Sequence, residues 1–181
     1  MAEKELTATE ESQFLTFILG EEKFGVGILR VKEIKEYTDL TSVPMMPKYI
    51  PGVINLRGNV VPIIDVNYLF FKKPSPITRK SCMIILEIFN ETEQKHSDVG
   101  ILVDSVNQVI DIPPSEIESS PSIGTKIRTD FISGIGKYEN EFIIILNIKK
   151  ILSIHEIAKT IDDFGISQEE FAMEKQGKAE K

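Results

Sequence analysis

A guanidinium placed between two β-branched runs is the group in this chain best suited to recognise a partner. Gly52-Val53-Ile54-Asn55-Leu56 leads into Arg57-Gly58-Asn59, and Val60-Val61-Pro62-Ile63-Ile64-Asp65-Val66 follows. Gly and Asn accept the positive φ of tight turns, so the stretch predicts a β-hairpin turning at Gly58-Asn59, with Arg57 at or just below its tip. Held on two stiff strands, Arg57 presents a fan of donors suited to a carboxylate or a carbonyl. A solvated turn arginine fits the same spacing.

The other reactive residue types do not converge. His96 and His155 are far apart in sequence with no Cys/His cluster beside either, so neither a zinc site nor a histidine base is expected. Cys82 is the one cysteine and adjoins the apolar run Met83 to Ile88, the usual setting of a small buried thiol. Gly134-x-Gly136 lacks the third glycine of a dinucleotide loop, and Gly136-Lys137 lacks the upstream glycine of a phosphate loop, so both read as turns. Asp162-Asp163 and Glu169-Glu170 read as solvated helix residues, while Asp65, Asp104 and Asp111 fit strand ends where carboxylates accept backbone hydrogen bonds. No catalytic residue, metal or cofactor is expected. The chain reads as a binding protein.

Composition narrows the partner. The 181 residues, 41% of them hydrophobic, are enough for one large domain or two small ones. With 21 Lys+Arg against 28 Asp+Glu the formal charge is -7, which disfavours nucleic acid or an anionic membrane as the main partner. Met1 to Ser12 is polar and acid-rich, unlike a secretory signal, and no apolar run approaches bilayer length, so a cytoplasmic protein without membrane insertion is expected.

The elements that must position Arg57 are mostly strands. Residues 1–12 read as a flexible arm. Gln13 to Leu19 and Phe24 to Ile28 predict a hairpin, and Val31 to Tyr37 a further strand, although its apolar spacing also suits a helix. Asp39 to Pro51 holds Pro44, Pro47 and Pro51 and must be loop. Val66 to Phe71 predicts a helical turn, and the basic, proline-interrupted Lys72 to Lys80 a link between halves. Strands are expected over Ser81 to Phe89, Asp98 to Val103, Ser105 to Ile112 and Glu141 to Ile148. His96 falls in a polar loop, Glu116 to Arg128 in a loop-rich stretch, and Lys149 to Asp163 on a helix with one apolar face.

The chain also repeats itself. Gly25-Val26 and Val31-Lys32-Glu33-Ile34 align with Gly100-Ile101 and Val106-Asn107-Gln108-Val109 at an offset of 75 (100 − 25). Gly52-Val53 and Ile63-Ile64-Asp65-Val66 align with Gly134-Ile135 and Ile145-Leu146-Asn147-Ile148 at an offset of 82 (134 − 52). At the second hairpin tip Glu139-Asn140 replaces Arg57-Gly58. Two copies of a five-strand unit predict two small antiparallel barrels around a shared core.

These residues amount to a resemblance. Phe24-Gly25-Val26, Val31 to Ile34, Asn55-Leu56-Arg57-Gly58 with Pro62-Ile63-Ile64-Asp65, and Gly100 to Asp104 resemble the CheW family of bacterial chemotaxis coupling proteins. The likeness runs from about Gln13 to about Leu152. It implies a mainly β fold of two five-stranded SH3-like β-barrel subdomains, with short helices and a C-terminal helix. The CheW-like domain would span 13–153, with subdomains of about 13–73 and 79–153 whose terminal segments can cross over, and 154–181 would be the C-terminal helix and a frayed tail. Relatives fused to a receiver domain, or forming the regulatory end of the histidine kinase CheA, would need more chain, so a stand-alone coupler is expected.

The resemblance further implies a scaffold with no catalytic step, which bridges the cytoplasmic tip of chemoreceptors (methyl-accepting chemotaxis proteins) to the regulatory domain of CheA at membrane-associated receptor arrays. Arg57 matches the family's functional arginine, and Glu33, Gly52, Met83 and Val109 match positions implicated in receptor coupling. The groove between the barrels is the expected docking site. Leu15, Ile28, Val31 and Ile34 match an apolar patch that meets the kinase, although periodicity alone suits core positions for all four. An adaptor of a chemosensory pathway other than motility, or a β-barrel with a small-ligand groove near Arg57, are the alternatives.

Overall fold

The hairpin read from the N-terminal residues forms from β1 (Gln13–Leu19) and β2 (Glu22–Gly27), and its buried Phe17 and Phe24 are directly paired. The structure is a computed structural model that describes residues 12–90, 94–119, 129–153 and 157. β3 (Val31–Glu36), β4 (Gly52–Leu56) and β5 (Asn59–Asp65) follow, then helix α1 (Val66–Phe71), β6 (Cys82–Asn90), β7 (Lys95–Val103) and β8 (Ser105–Asp111). The two-residue β9 (Ile117–Glu118), β10 (Ile132–Tyr138), β11 (Glu141–Leu146) and helix α2 (Ile148–Leu152) complete the described elements. Val31 to Glu36 is therefore strand, and its β-branched content outweighs its helical spacing. The expected arm 1–12 lies outside the described residues except Ser12, whose carbonyl accepts from Ile112 N–H at 2.8 Å and so belongs to the fold. Of the expected helix from Lys149 to Asp163, the description covers α2, Ser153 and the helical Ile157. Most of the expected loop 116–128 also lies outside it.

The strands form two curled sheets, in the orders β8-β1-β2-β11-β10-β9 and β3-β6-β7-β5-β4. Two barrels of similar plan were expected; the short β9 gives one of them a sixth strand. The barrels are not consecutive stretches of chain. β1 and β2 lie between β8 and β11, and β6 and β7 lie between β3 and β5. The repeat explains the pattern, because β1, β2, β3, β4, β5 and α1 correspond to β6, β7, β8, β10, β11 and α2. Each copy therefore inserts its first two strands between the third and fifth strands of the other copy. The crossing over is reciprocal and involves two strands in each direction, so neither 13–73 nor 79–153 makes a complete barrel.

Equivalent devices recur in both copies. Asp65 caps α1 by accepting from Tyr68 N–H at 3.2 Å, and Asn147 caps α2 by accepting from Lys150 N–H at 3.1 Å, an exchange of carboxylate for amide that keeps the acceptor. A bulge between Val31 and Glu33 on β3 is matched on β8, where Val109 and Val106 face Leu15 and Phe17. Gly52 and Gly134 also correspond. A Cβ at Gly52 would stand 2.5 Å from Thr41 O, and one at Gly134 would stand 2.8 Å from Glu118 O. In each barrel a neighbouring backbone segment closes onto a glycine because no side chain keeps it away.

Among the described residues three apolar clusters hold the molecule together. The largest lies between the sheets and contains Leu15, Phe17, Phe24, Phe70, Ile84, Leu86, Phe131, Leu152 and Ile157. Within it Phe17, Phe24, Phe70 and Phe131 form a file of rings with successive centroids 6.1, 6.1 and 6.0 Å apart, within the range of favourable aromatic pairs. The two smaller clusters fill the barrel interiors. One holds Ile54, Leu56, Val61, Ile63, Met83, Ile85 and Leu102, and the other holds Phe14, Ile110, Ile112, Ile143 and Ile145.

Candidate functional site

Arg57 is one of the two central residues of its turn. Leu56 pairs with Asn59, which leaves Arg57 (φ 51°) and Gly58 (φ 87°) as the two-residue loop, rather than the expected Gly58-Asn59. Positive φ at both central positions is the type I′ requirement, and Gly58 N–H donates to Asn55 Oδ1 at 2.9 Å to hold the loop. Arg57 is the unusual occupant, since left-handed backbone is normally left to Gly, Asn or Asp. At the equivalent tip Glu139 and Asn140 also have positive φ, 46° and 65°.

The guanidinium is already partnered. Arg57 Nη1 donates to Glu33 Oε2 at 2.7 Å, with Arg57 73% exposed and Glu33 24%. Glu33 lies on β3 and Arg57 follows β4, the two edges of the five-stranded sheet. The pair therefore spans the seam where that sheet curls toward closure. Thr41 and Val53 bond each other's backbone across the same seam, N···O 2.9 Å in both directions, and this is the approach that Gly52 permits. Met83 is fully buried in the same barrel's interior. Four of the five residues matched to receptor coupling thus belong to one barrel: two form its surface ion pair, Gly52 allows its closure, and Met83 fills it. Gly52 and Met83 offer no surface, so any influence they have on a partner passes through the barrel's shape.

Val109 stands apart, on the edge strand β8 of the other sheet, and is 48% exposed. The four positions of the apolar patch also divide. Leu15 is core, Ile28 and Val31 are half-buried against the central cluster, and Ile34 is 46% exposed. The β3 bulge unites the last two. Val31 faces Leu86 and Ile34 faces Ile84, both in the central cluster, so the bulge sets on one face two residues that plain alternation would separate. Ile34 and Val109 are equivalent across the repeat (109 − 34 = 75), and each extends the central core's face onto an open sheet edge.

The groove between the barrels, with a volume of ≈880 Å³, lies elsewhere. Its walls come from the β1–β2 turn, Ile144 of β11, the end of α1 and the Lys72 to Pro76 link; Arg57, Glu33 and Val109 do not line it. A polar network that sequence reasoning missed braces one side. Asp65 accepts from Ser75 Oγ at 2.6 Å and Ser75 N–H at 2.8 Å, Asn67 Nδ2 donates to Ser75 Oγ at 3.0 Å and to Asp104 Oδ1 at 2.7 Å, and Asp104 Oδ2 accepts from Gly20 N–H at 2.7 Å. Asp65, Asn67 and Ser75 are buried, so these bonds replace lost solvent and tie α1 and the link to the β1–β2 turn. Asp65 and Asp104 are readable as strand-end acceptors; the amide that joins them is not.

Among the described residues two titrations are displaced. The hydrogen bond from Lys32 Nζ to Asp98 Oδ2, 2.9 Å, raises the lysine above its ordinary value. Burial raises the Cys82 thiol, which is partly buried and donates to Lys80 O at 3.3 Å. His96 lies on β7, not in a loop, with its ring 4.8 Å from Phe89 and Nδ1 3.2 Å from Glu87 Oε1. His155 lies outside the described residues. Among the described residues no three His, Cys, Asp or Glu groups converge as metal ligands, and no helix is long and apolar enough to cross a membrane.

Residues 13–156 match the CheW-like domain family. The chain belongs to the CheW family. Among CheW relatives, "Chemotaxis protein CheW" of Klebsiella aerogenes is 33% identical over 150 residues, which cover 83% of this chain and 87% of that protein. The protein of the same description from Treponema pallidum is also 33% identical over 150 residues, with the same coverage. A crystal structure of the scaffolding protein TtCheW from Thermoanaerobacter tengcongensis superposes with a TM-score of 0.71 at 30% identity, over 86% of this chain and 95% of that one. The CheW architecture is thus common to the two proteins.

Proposed function

We propose that this CheW-family chain is a non-catalytic chemotaxis adaptor that couples the cytoplasmic tip of chemoreceptors to the regulatory domain of the histidine kinase CheA, so that receptor state sets kinase activity. Family membership supports the adaptor role, as do the descriptions of its relatives as chemotaxis and scaffolding proteins. The observation that carries the two-partner form is a pair of unlike surfaces on the opposite faces of β3. A charged one, Arg57 with Glu33, lies on the seam of the five-stranded barrel, and an apolar one, Ile34 beside Val31 and Ile28, continues the central core outward. An exposed arginine on a rigid turn suits a polar helical tip, and an exposed aliphatic edge suits a similarly folded barrel. Both barrel interiors are filled by side chains, which favours surface binding over a small-ligand barrel.

Control follows if the receptor's two signalling states differ in how strongly they hold the adaptor, because only a differential interaction shifts the kinase equilibrium. The protein would reach the membrane by recruitment to receptor arrays. The test is titration of the full chain against a CheA regulatory domain and against a receptor cytoplasmic fragment. Binding to both supports the bridge. Binding to neither removes the reading and leaves an adaptor of another chemosensory pathway.

A further inference from the structure

The repeat leaves one inward position of the six-stranded barrel empty. Gly25 and Gly100 correspond, and each faces the interior of its own barrel: a Cβ at Gly25 would stand 3.2 Å from Ile143 Cγ2, and one at Gly100 would collide with Ile63 Cδ1. Two residues further along a strand the side chain returns to the same face. In the five-stranded barrel that residue is Leu102, 3% exposed and part of the interior cluster. In the six-stranded barrel it is Gly27 (102 − 75), where an added Cβ would meet nothing within 4 Å.

A recess of ≈270 Å³ lies where that side chain is missing. Gly27 lines it with buried Phe14, Val26 and Ile145, where β1 starts and β2 and β11 finish. Arg30 and Lys149 line it as well, and both are exposed, so they border it where it meets solvent. Among the described residues no carboxylate lines the recess and neither cation is held in an ion pair. An apolar wall with two available cations selects an anion that carries an apolar body, and a guanidinium fork suits a carboxylate best. A cavity of about 150 Å³ holds benzene, so ≈270 Å³ admits roughly ten non-hydrogen atoms.

We propose that this recess binds a medium-chain monocarboxylate of about eight carbons, with its apolar body beside Gly27 and its carboxylate on Arg30 and Lys149. The site adds to a packed interior at the end of the barrel. It does not depend on which partners the adaptor serves.

Isoleucine-methyl NMR of the full chain with n-octanoate tests this. Octanoate at millimolar concentration is expected to shift the Ile145 δ1 methyl, while Ile63, its counterpart in the other barrel, and Ile144, in the groove between the barrels, stay in place. n-Octanol should bind at least tenfold more weakly, and Arg30→Gln with Lys149→Gln should bring octanoate down to the level of octanol. Gly27→Leu supplies the absent side chain at an unstrained φ of −55°, so the variant should fold, with Ile63 unmoved, and lose the octanoate response. The exposed charge pair tests the same site should that variant unfold. No Ile145 shift with octanoate, an equal response in folded Gly27→Leu, or octanol binding as tightly as octanoate overturns the proposal. So does an Ile145 shift produced instead by diluting the protein or by adding a CheA regulatory domain, which gives the recess to a second copy or to a protein partner.

Discussion

Arg57 and Glu33 join the two edges of one sheet: the guanidinium of a hairpin turn following β4 meets a carboxylate on β3, 24 residues earlier, at 2.7 Å. An exposed pair of this kind contributes only about 0.2–1 kcal/mol to stability. Arg57→Asn removes the guanidinium and keeps a residue that tolerates the positive φ. Its thermal midpoint is expected to stay within a few degrees of wild type, while affinity for a receptor fragment falls at least tenfold and kinase-domain binding persists. Unchanged receptor affinity in calorimetry would return Arg57 to the role of a solvated turn residue.

Met83 and Gly52 are expected to act through the barrel rather than by contact. Met83→Ala empties a fully buried site in the interior cluster and should cost about 2–5 kcal/mol in denaturant unfolding. Gly52→Ala forces a Cβ onto Thr41 O and should loosen the Thr41–Val53 closure, seen as faster amide exchange at both residues. Wild-type stability in either variant would contradict the placement.

Ile34→Glu and Leu15→Glu separate surface from core within one patch. Ile34 is largely exposed, so its variant should fold normally and lose kinase-domain affinity by tenfold or more. Leu15 is core, and its variant should fail to fold stably, because a carboxylate there has no partner. A folded Ile34→Glu protein that binds the kinase domain as wild type does would move that contact elsewhere.

Asn67 is the joint of the buried network. Asn67→Ala leaves Ser75 and Asp104 each short of a bond and should cost about 1–3 kcal/mol. Two-state denaturant curves check this, and a neutral result would mean that water replaces the amide.

The Lys32–Asp98 pair gives a pH dependence of known sign. Because the folded pKa is raised above the ordinary 10.5, the contribution is fully present below that value and is lost as pH rises through the folded pKa. Lys32→Met should therefore lower stability slightly in the neutral region, match wild type above the folded pKa, and so flatten the alkaline fall. An equally steep alkaline fall would assign it to other groups.

The strands and the repeat were legible because buried β-branched runs and equivalent glycines leave strong local patterns. Arg57 stood out for its setting, yet its turn was displaced by one residue, since Gly58-Asn59 is the stronger turn pair and Leu56–Asn59 pairing overrode it. Pairing between sheet edges is not local, so Glu33 as the partner of Arg57 could not be read from spacing. Nor could the division of Leu15, Val31 and Ile34 between core and surface, because a bulge changes which face a residue occupies without changing its type. The groove and its network depend on α1 meeting the β1–β2 turn, a contact made only by the assembled fold.

The reciprocal exchange of strand pairs also sets the timing of synthesis. β1 needs β8 beside it, and β2 needs β11, whose Ile144 pairs with Phe24 across 120 residues (144 − 24). At translation rates of about 5–20 residues per second, the first hairpin waits for roughly 6–24 s with Phe17 and Phe24 unsheltered by their final neighbours. The five-stranded sheet has all its strands once Val103 is made, whereas the six-stranded one waits for Leu146. The ribosome must deliver nearly the whole domain before the six-stranded barrel is safe from aggregation, and a nascent-chain chaperone has its clearest task on the first hairpin.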